Sequence, residues 1–115
     1  MSNQELIDYL VSLGHRVSTV RAPGNVDFIV ITGFTVPTGK NTGRKVDVGI
    51  QFSTQIPYVA PSAVHVRPAL VAAGTQSSRD SELGSAWQYL SRQAARVTSP
   101  KQMLAHIVSV LGELG

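Results

Sequence analysis

The chain of 115 residues contains no cysteine. That excludes disulfide bridges, thiolate metal sites and any thioester intermediate. Charge is sparse, with 15% of residues Asp, Glu, Lys or Arg, and aromatic residues make up only 6%. No apolar run approaches the roughly 20 residues that span a bilayer. The first residues lack a basic region followed by an apolar one, so no secretory leader is expected. These absences predict a cytoplasmic protein with no membrane association. The bases do not cluster either. Ten Lys and Arg against seven Asp and Glu give a net charge of +3, but Arg16, Arg21, Arg44, Lys45, Arg67, Arg79, Arg92, Arg96 and Lys101 are scattered. Without interleaved aromatics or a recognised motif, no nucleic-acid partner is expected. His15, His65 and His106 share no metal-ligand spacing with one another or with the carboxylates, so neither a metal nor a cofactor is predicted.

What is present supports one folded domain over residues 1–115, with 43% hydrophobic residues to build a core. Ser2-Asn3-Gln4-Glu5 reads as a capping box opening a helix. Leu6, Tyr9, Leu10 and Leu13 then share one face, and Gly14 suits the helix end. His15 to Ala22 alternates loosely and predicts an edge strand. Pro23-Gly24-Asn25 is turn chemistry, and Val26 to Ile31 predicts a central strand, apolar on both faces. Thr38 to Gly43 reads as a flexible polar hairpin tip. It has the composition of a phosphate loop without the glycine spacing, because Asn41 follows Gly39-Lys40. Val46, Val48, Ile50 and Phe52 give the cleanest two-residue period in the chain, with Asp47, Gly49 and Gln51 facing outward. Ala63 to Val66 predicts a short fourth strand.

From Arg67 to Gly84 the sequence is small and polar, as in a functional or mobile loop. Trp87 and Leu90 then suggest a short helix over Ser85 to Ala95. Ser99-Pro100 supplies an N-cap and a proline at the first helical position. Leu104, Ile107, Val108, Leu111 and Leu114 form the core stripe of a longer helix, on whose polar side His106 falls. The expected class is α+β: an N-terminal helix, a four-stranded antiparallel meander, a long loop and C-terminal helices packed on one face.

Prolines frame the centre of the chain: Ile56-Pro57-Tyr58-Val59-Ala60-Pro61, then Ala63-Val64-His65-Val66, then Pro68. Proline removes a backbone donor, so Pro57 and Pro61 should end strand pairing and hold an extended crossover. This spacing resembles the strand–crossover–strand segment of ubiquitin-conjugating (E2, or UBC) domains. Trp87-Gln88, with Ser91-Arg92 after them, resembles the Trp-Gln-x-x-Ser-Arg-His segment of a bacterial E2-like family, Gln93 standing where the histidine is expected. The resemblance implies a bacterial ubiquitin-like conjugation system, with a ubiquitin-like protein, an E1-like enzyme or a second E2 as partner. By the same analogy the first helix is the E1 face, so Gln4, Glu5 and Asp8 become contact candidates. Tyr58 and Val59 are expected to be exposed on the crossover, where an aromatic anchor would serve an interface. Trp87 is expected to be a core anchor between loop and sheet.

The catalytic segment of E2 domains is missing. Val71-Ala72-Ala73 stands where His-Pro-Asn is expected, and an ungapped count puts the cysteine position near Ser81. The leading expectation is therefore a binding or positioning module. The alternatives are an acyl carrier using a loop serine, an E2 whose cysteine has been exchanged, and an RWD-like adaptor unrelated to ubiquitin. A serine nucleophile needs a base within about 3 Å. The candidates are Ser77, Ser78, Ser81 and Ser85, with Asp80, Glu82 or His65 as base; otherwise His65 is a packed ring with one nitrogen satisfied.

Overall fold

The computed structural model of the protein describes residues 1–54, 58–61, 63–68, 70, 78–91 and 97–113, leaving out the side chains of Ser78, Arg79, Asp80 and Ser85. Pro57, Ser77, Arg92 and Leu114 lie outside the described residues, as do residues 71–73. Helix α1 spans Asn3–Ser12 and starts as the capping residues predict: Ser2 is extended, and its Oγ accepts the Glu5 N–H at 3.1 Å. Leu6 and Leu10 are fully buried. Leu13 is half exposed, because the helix ends there and the chain turns at Gly14 toward the first strand. Helix α2 spans Pro100–Glu113, and Ser99 Oγ accepts the Gln102 N–H at 3.2 Å. Among the described residues, no helix is long and apolar enough to cross a membrane.

Between the helices lie β1 (Arg16–Ala22), β2 (Val26–Thr35), β3 (Lys45–Gln51), β4 (Ala63–Arg67), β5 (Ser78–Ser81) and β6 (Gly84–Ser91). They form one six-stranded sheet in the order β1-β2-β3-β4-β6-β5, and each neighbouring pair is antiparallel. The first four strands are the expected meander, with β1 at the edge. The last two correct the expectation of a long loop followed by a helix. The stretch from Arg67 to Gly84 contains β5, and Gly84–Ser91 is a strand. Trp87 and Leu90 at three-residue spacing suit a helix, but they face opposite sides of a strand that is apolar on both. Leu90 joins the core with the helices, while Trp87 joins the cluster on the other face.

The sheet separates two unequal cores. On one face Ile29, Ile31, Phe34, Val46, Val48, Ile50, Val64, Val66 and Leu90 pack with Leu6 and Leu10 of α1 and with Met103, Ile107, Val110 and Leu111 of α2. Both helices therefore cover the same face. Each such side chain, fully buried, stabilises by about 1.5–3 kcal/mol, so this layer dominates the fold. The α2 stripe is rotated from the expected one. Met103 and Val110 are fully buried, Leu104 and Val108 are only partly so, and His106 is half-buried rather than on a polar side. The opposite face carries a smaller cluster of Ala22, Phe28, Val30 and Trp87, edged by Val26 and Leu83. Gly49 faces away from Val48 and Ile50 as expected, but it is buried on that face. A Cβ there would lie 2.5 Å from Leu83 Cδ1.

Two polar clasps tie the loops to the helices. Asn3 Nδ2 donates to the Ser53 carbonyl at 2.9 Å, and the Ser53 N–H donates to Asn3 Oδ1 at 3.0 Å, which fastens the start of α1 to the chain leaving β3. The Thr38–Gly43 segment is not a free hairpin tip. Lys40 N–H donates to the Gly112 carbonyl at 2.8 Å, and buried Asn41 Nδ2 donates to the Leu111 carbonyl at 2.8 Å. These donors serve carbonyls at the C-terminal end of α2, which have no partner within their own helix. The backbones nearly touch: a Cβ on Gly112 would lie 2.5 Å from the Thr38 carbonyl oxygen, and one on Gly39 would meet Gly112 itself. Gly112→Ala should therefore lower unfolding stability by more than about 2 kcal/mol, and Asn41→Ala by about 1–2 kcal/mol. Denaturant melts of the two variants check both values.

Candidate functional site

The side chains best placed for chemistry meet on the sheet face away from the helices. Val64 and Val66 of β4 point into the helix-side core, so His65 between them points to the opposite face. There the imidazole makes T-shaped contacts with Phe28, ring centroids 4.9 Å apart, and with Tyr89 at 5.2 Å. Tyr89 is the register partner of His65 across the β4–β6 pair. Ser81, where the register of β5 against β6 shifts, brings its Oγ to 2.6 Å from His65 Nδ1. The Leu83 N–H donates to the same Oγ at 3.0 Å. With Nδ1 as acceptor of the hydroxyl proton, the ring carries its own proton on Nε2. That nitrogen lies 3.9 Å from Glu82 Oε2.

Of the four candidate serines, the structure brings Ser81 to His65. Ser77 lies outside the described residues, as do the side chains of Ser78, Ser85 and the alternative base Asp80. Ser81 and His65 have the reach that general-base activation requires. Their surroundings are closed, with His65 1% and Ser81 9% exposed. Ser81 Oγ already accepts a backbone donor, and Leu83 packs beside it over Gly49. In this closed state the pair ties the turn between β5 and β6 to the centre of the sheet.

Next to it runs a charged row that the sequence did not single out. Asp47 and Arg67 are register partners across β3 and β4, and Arg67 Nη2 donates to Asp47 Oδ2 at 2.7 Å. The guanidinium carbon lies 4.6 Å from the Trp87 ring centroid, a cation–π contact. Asp47 Oδ1 accepts the N–H of Gly33 at 2.9 Å, at the register shift between Ile31 and Phe34. Burial acts to raise the Asp47 pKa, but the hydrogen bonds from Arg67 and Gly33 outweigh it and hold the carboxyl below its ordinary value. The signal for this row was the charge alternation in β3 and β4, legible once the two strands are paired.

The expected contact residues divide. Gln4, Glu5 and Asp8 are exposed along α1, and Gln4 Nε2 donates to Asp8 Oδ1 at 2.9 Å. Val59 is 51% exposed. Tyr58 is not an exposed anchor. Its side chain is buried, and its hydroxyl has no hydrogen-bond partner among the described residues. The crossover that was expected to display the ring turns it inward instead, and burial pushes the phenol up to about 12. Sequence reasoning missed Val11, an exposed apolar residue near the end of α1, and put on the core face Leu13, which is exposed where the helix stops. Trp87 is buried as expected, but on the face away from the helices. Gln88, on the helix side of β6, accepts the Leu70 N–H through Oε1 at 3.0 Å. Ser91 ends β6 opposite Ala63, Pro61 lies just before β4, and Pro68 follows it.

No family model, curated protein or solved structure matches this chain.

Two outcomes test this description. Ser81→Ala removes both the Nδ1 partner of His65 and the acceptor for Leu83, so stability should fall by about 1–3 kcal/mol in denaturant melts. Tyr58 has a folded pKa above that of the unfolded chain, so the native state holds its proton longer. Stability should therefore decline between roughly pH 10 and 12. Tyr58→Phe should lessen that decline while leaving stability at pH 7 unchanged or slightly higher, because it removes a buried unpaired hydroxyl.

Proposed function

We propose that this chain is a cytoplasmic E2-like module of a bacterial ubiquitin-like conjugation system that binds and positions a partner without carrying the acyl group. The observation that carries the reading is the closure of the position nearest a catalytic centre. Ser81 is buried, its oxygen is occupied by Leu83 N–H and His65, and a strand hairpin takes the stretch where the resemblance expects a catalytic loop. A capped first helix, a four-strand meander in chain order and helices on one face support the E2 side of the proposal. The same features suit an RWD-like adaptor, which differs in its partner rather than its architecture.

The docking surface follows from α1. Its outer side presents Gln4, Glu5 and Asp8 near the start and Val11 near the end, and Leu13 is exposed just past the last turn. An acidic stretch beside exposed aliphatic residues suits a partner with an apolar centre and a basic rim, here the E1-like enzyme. A second reading is an oxyester carrier on Ser81, favoured by the 2.6 Å approach of His65 Nδ1. It requires the hairpin to open, since the hydroxyl must reach an activated carboxyl group.

One experiment separates these readings. The chain is incubated with an E1-like enzyme, ATP and a ubiquitin-like protein, and both binding and covalent adducts are followed. The module reading expects retention of the E1-like enzyme, no adduct, and affinity reduced about tenfold by Asp8→Lys, equivalent to about 1.4 kcal/mol. A thiol-resistant, hydroxylamine-sensitive adduct that disappears in Ser81→Ala would establish the carrier instead. Absence of both binding and adduct would overturn the conjugation reading and leave the adaptor.

A further inference from the structure

Strand β1 ends the sheet, and among the described residues nothing pairs with its outer side. It runs seven residues, contains no proline or glycine, and holds an unbroken register with β2 from Arg16↔Thr32 to Ala22↔Val26. Val17 is half-buried, Ala22 is buried, and the other five residues are exposed. An edge of this kind offers a row of unpaired N–H and C=O groups, which proteins ordinarily blunt with bulges, proline or short strands. The other edge is blunted that way: β5 has four residues and a register shift between Asp80 and Ser81. β1 has only Arg16 and Arg21 near its ends, and Arg21 is held by Asp27 at 3.0 Å.

We propose that β1 pairs antiparallel with β1 of a second copy of this chain, about a two-fold axis at Thr19, joining two six-stranded sheets into one. A two-fold axis between antiparallel strands preserves the faces of the sheet, so residues on the same face must oppose each other. Val17 packs toward the helix-side core, and Val20 lies opposite Phe28 of the other cluster. Val17, Thr19 and Arg21 therefore share one face, and Arg16, Ser18, Val20 and Ala22 the other. Centring on Thr19 pairs the whole strand: Arg16 with Ala22, Val17 with Arg21, Ser18 with Val20, and Thr19 with itself.

This register is self-complementary. Each arginine meets an aliphatic side chain and no cation opposes another, whereas like charges directly opposed destabilise a pair. Val20, 40% exposed, gains cross-strand cover, and the Thr–Thr pair is of a favourable type. The one-residue shift that would set Arg16 against Arg21 also sets one face against the other, so it is excluded. Shifting the axis to Ser18 or Val20 keeps the faces but leaves strand ends unpaired. A foreign strand would have to reproduce this pattern, while a second copy carries it already. The helices leave room, since Thr19 and Arg21 on their side of the sheet are exposed.

Because the chain has no cysteine, one introduced thiol reads out the register. Opposed residues in an antiparallel pair have Cα atoms about 4.5–5.5 Å apart, inside the roughly 4.4–6.8 Å that a disulfide spans. Thr19→Cys should form a covalent dimer in oxidised glutathione about tenfold faster than Ser18→Cys or Val20→Cys, whose thiols meet only diagonally, about 7–8 Å apart. Light scattering should show a dimer for the native chain and a monomer for Thr19→Lys, with the circular dichroism of the two unchanged. A native chain that stays monomeric at all concentrations would overturn the proposal. So would a Thr19→Lys variant that remains dimeric, or flanking thiols that cross-link as fast as Thr19→Cys.

Discussion

The β2–β3 loop and the last turn of α2 meet with almost no side chain between them, and much of the fold is organised around that approach. Gly39 and Gly112 let two backbones come close enough for Lys40 N–H and Asn41 Nδ2 to take carbonyls at the end of the helix. Helix ends buried without partners are costly, and α2 contributes four fully buried side chains to the main core. Its position along the sheet is thus held by polar contacts as well as by the non-directional packing of Met103, Ile107, Val110 and Leu111. At the other helix Asn3 performs a similar service with Ser53, binding α1 to the chain that leaves β3.

With both helices committed to one face, the other must satisfy its apolar residues alone. Phe28, Val30 and Trp87 are covered in part by the turn of the β5–β6 hairpin, whose Leu83 lies over Gly49. His65 is the polar centre of that cover. Packed in T-shaped contact with two aromatic rings, it needs a partner for its nitrogen, and Ser81 supplies one while anchoring the turn. The pair with the geometry of a catalytic couple therefore also serves as a structural tie, and its burial favours that role in the closed state. The two surfaces proposed for recognition, the outer side of α1 and the edge of β1, are ones the two cores do not reach.

Where local chemistry dictated structure, the sequence was readable. Ser2 and Ser99 announced both helix starts, the prolines bracketed β4, and the alternation of Val46, Val48 and Ile50 located β3 and its inward face. Readings failed where one local pattern had two meanings. Trp87 and Leu90 match a helical face as well as the two faces of a strand, and only pairing with β4 and β5 decides between them. The Thr38–Gly43 segment has the composition of a solvated turn, and nothing within it reveals that a helix 70 residues away supplies its partners. Tyr58 looked like a contact residue because the crossover was expected to lie on the surface, yet its ring is buried.

Several properties belong to the sequence by itself. The absence of cysteine settles that no thioester or disulfide forms, since no other side chain supplies a thiol. Hydrophobic period and capping residues determined that an N-terminal helix, an antiparallel meander and a C-terminal helix would form, because such signals act over a few neighbouring residues. Tertiary structure alone decided that Ser81 reaches His65, which face of β6 holds Trp87, and, among the described residues, that the long edge of β1 is left open. Those outcomes depend on register and on contacts between residues distant along the chain, and a one-dimensional pattern carries no record of which strands become neighbours.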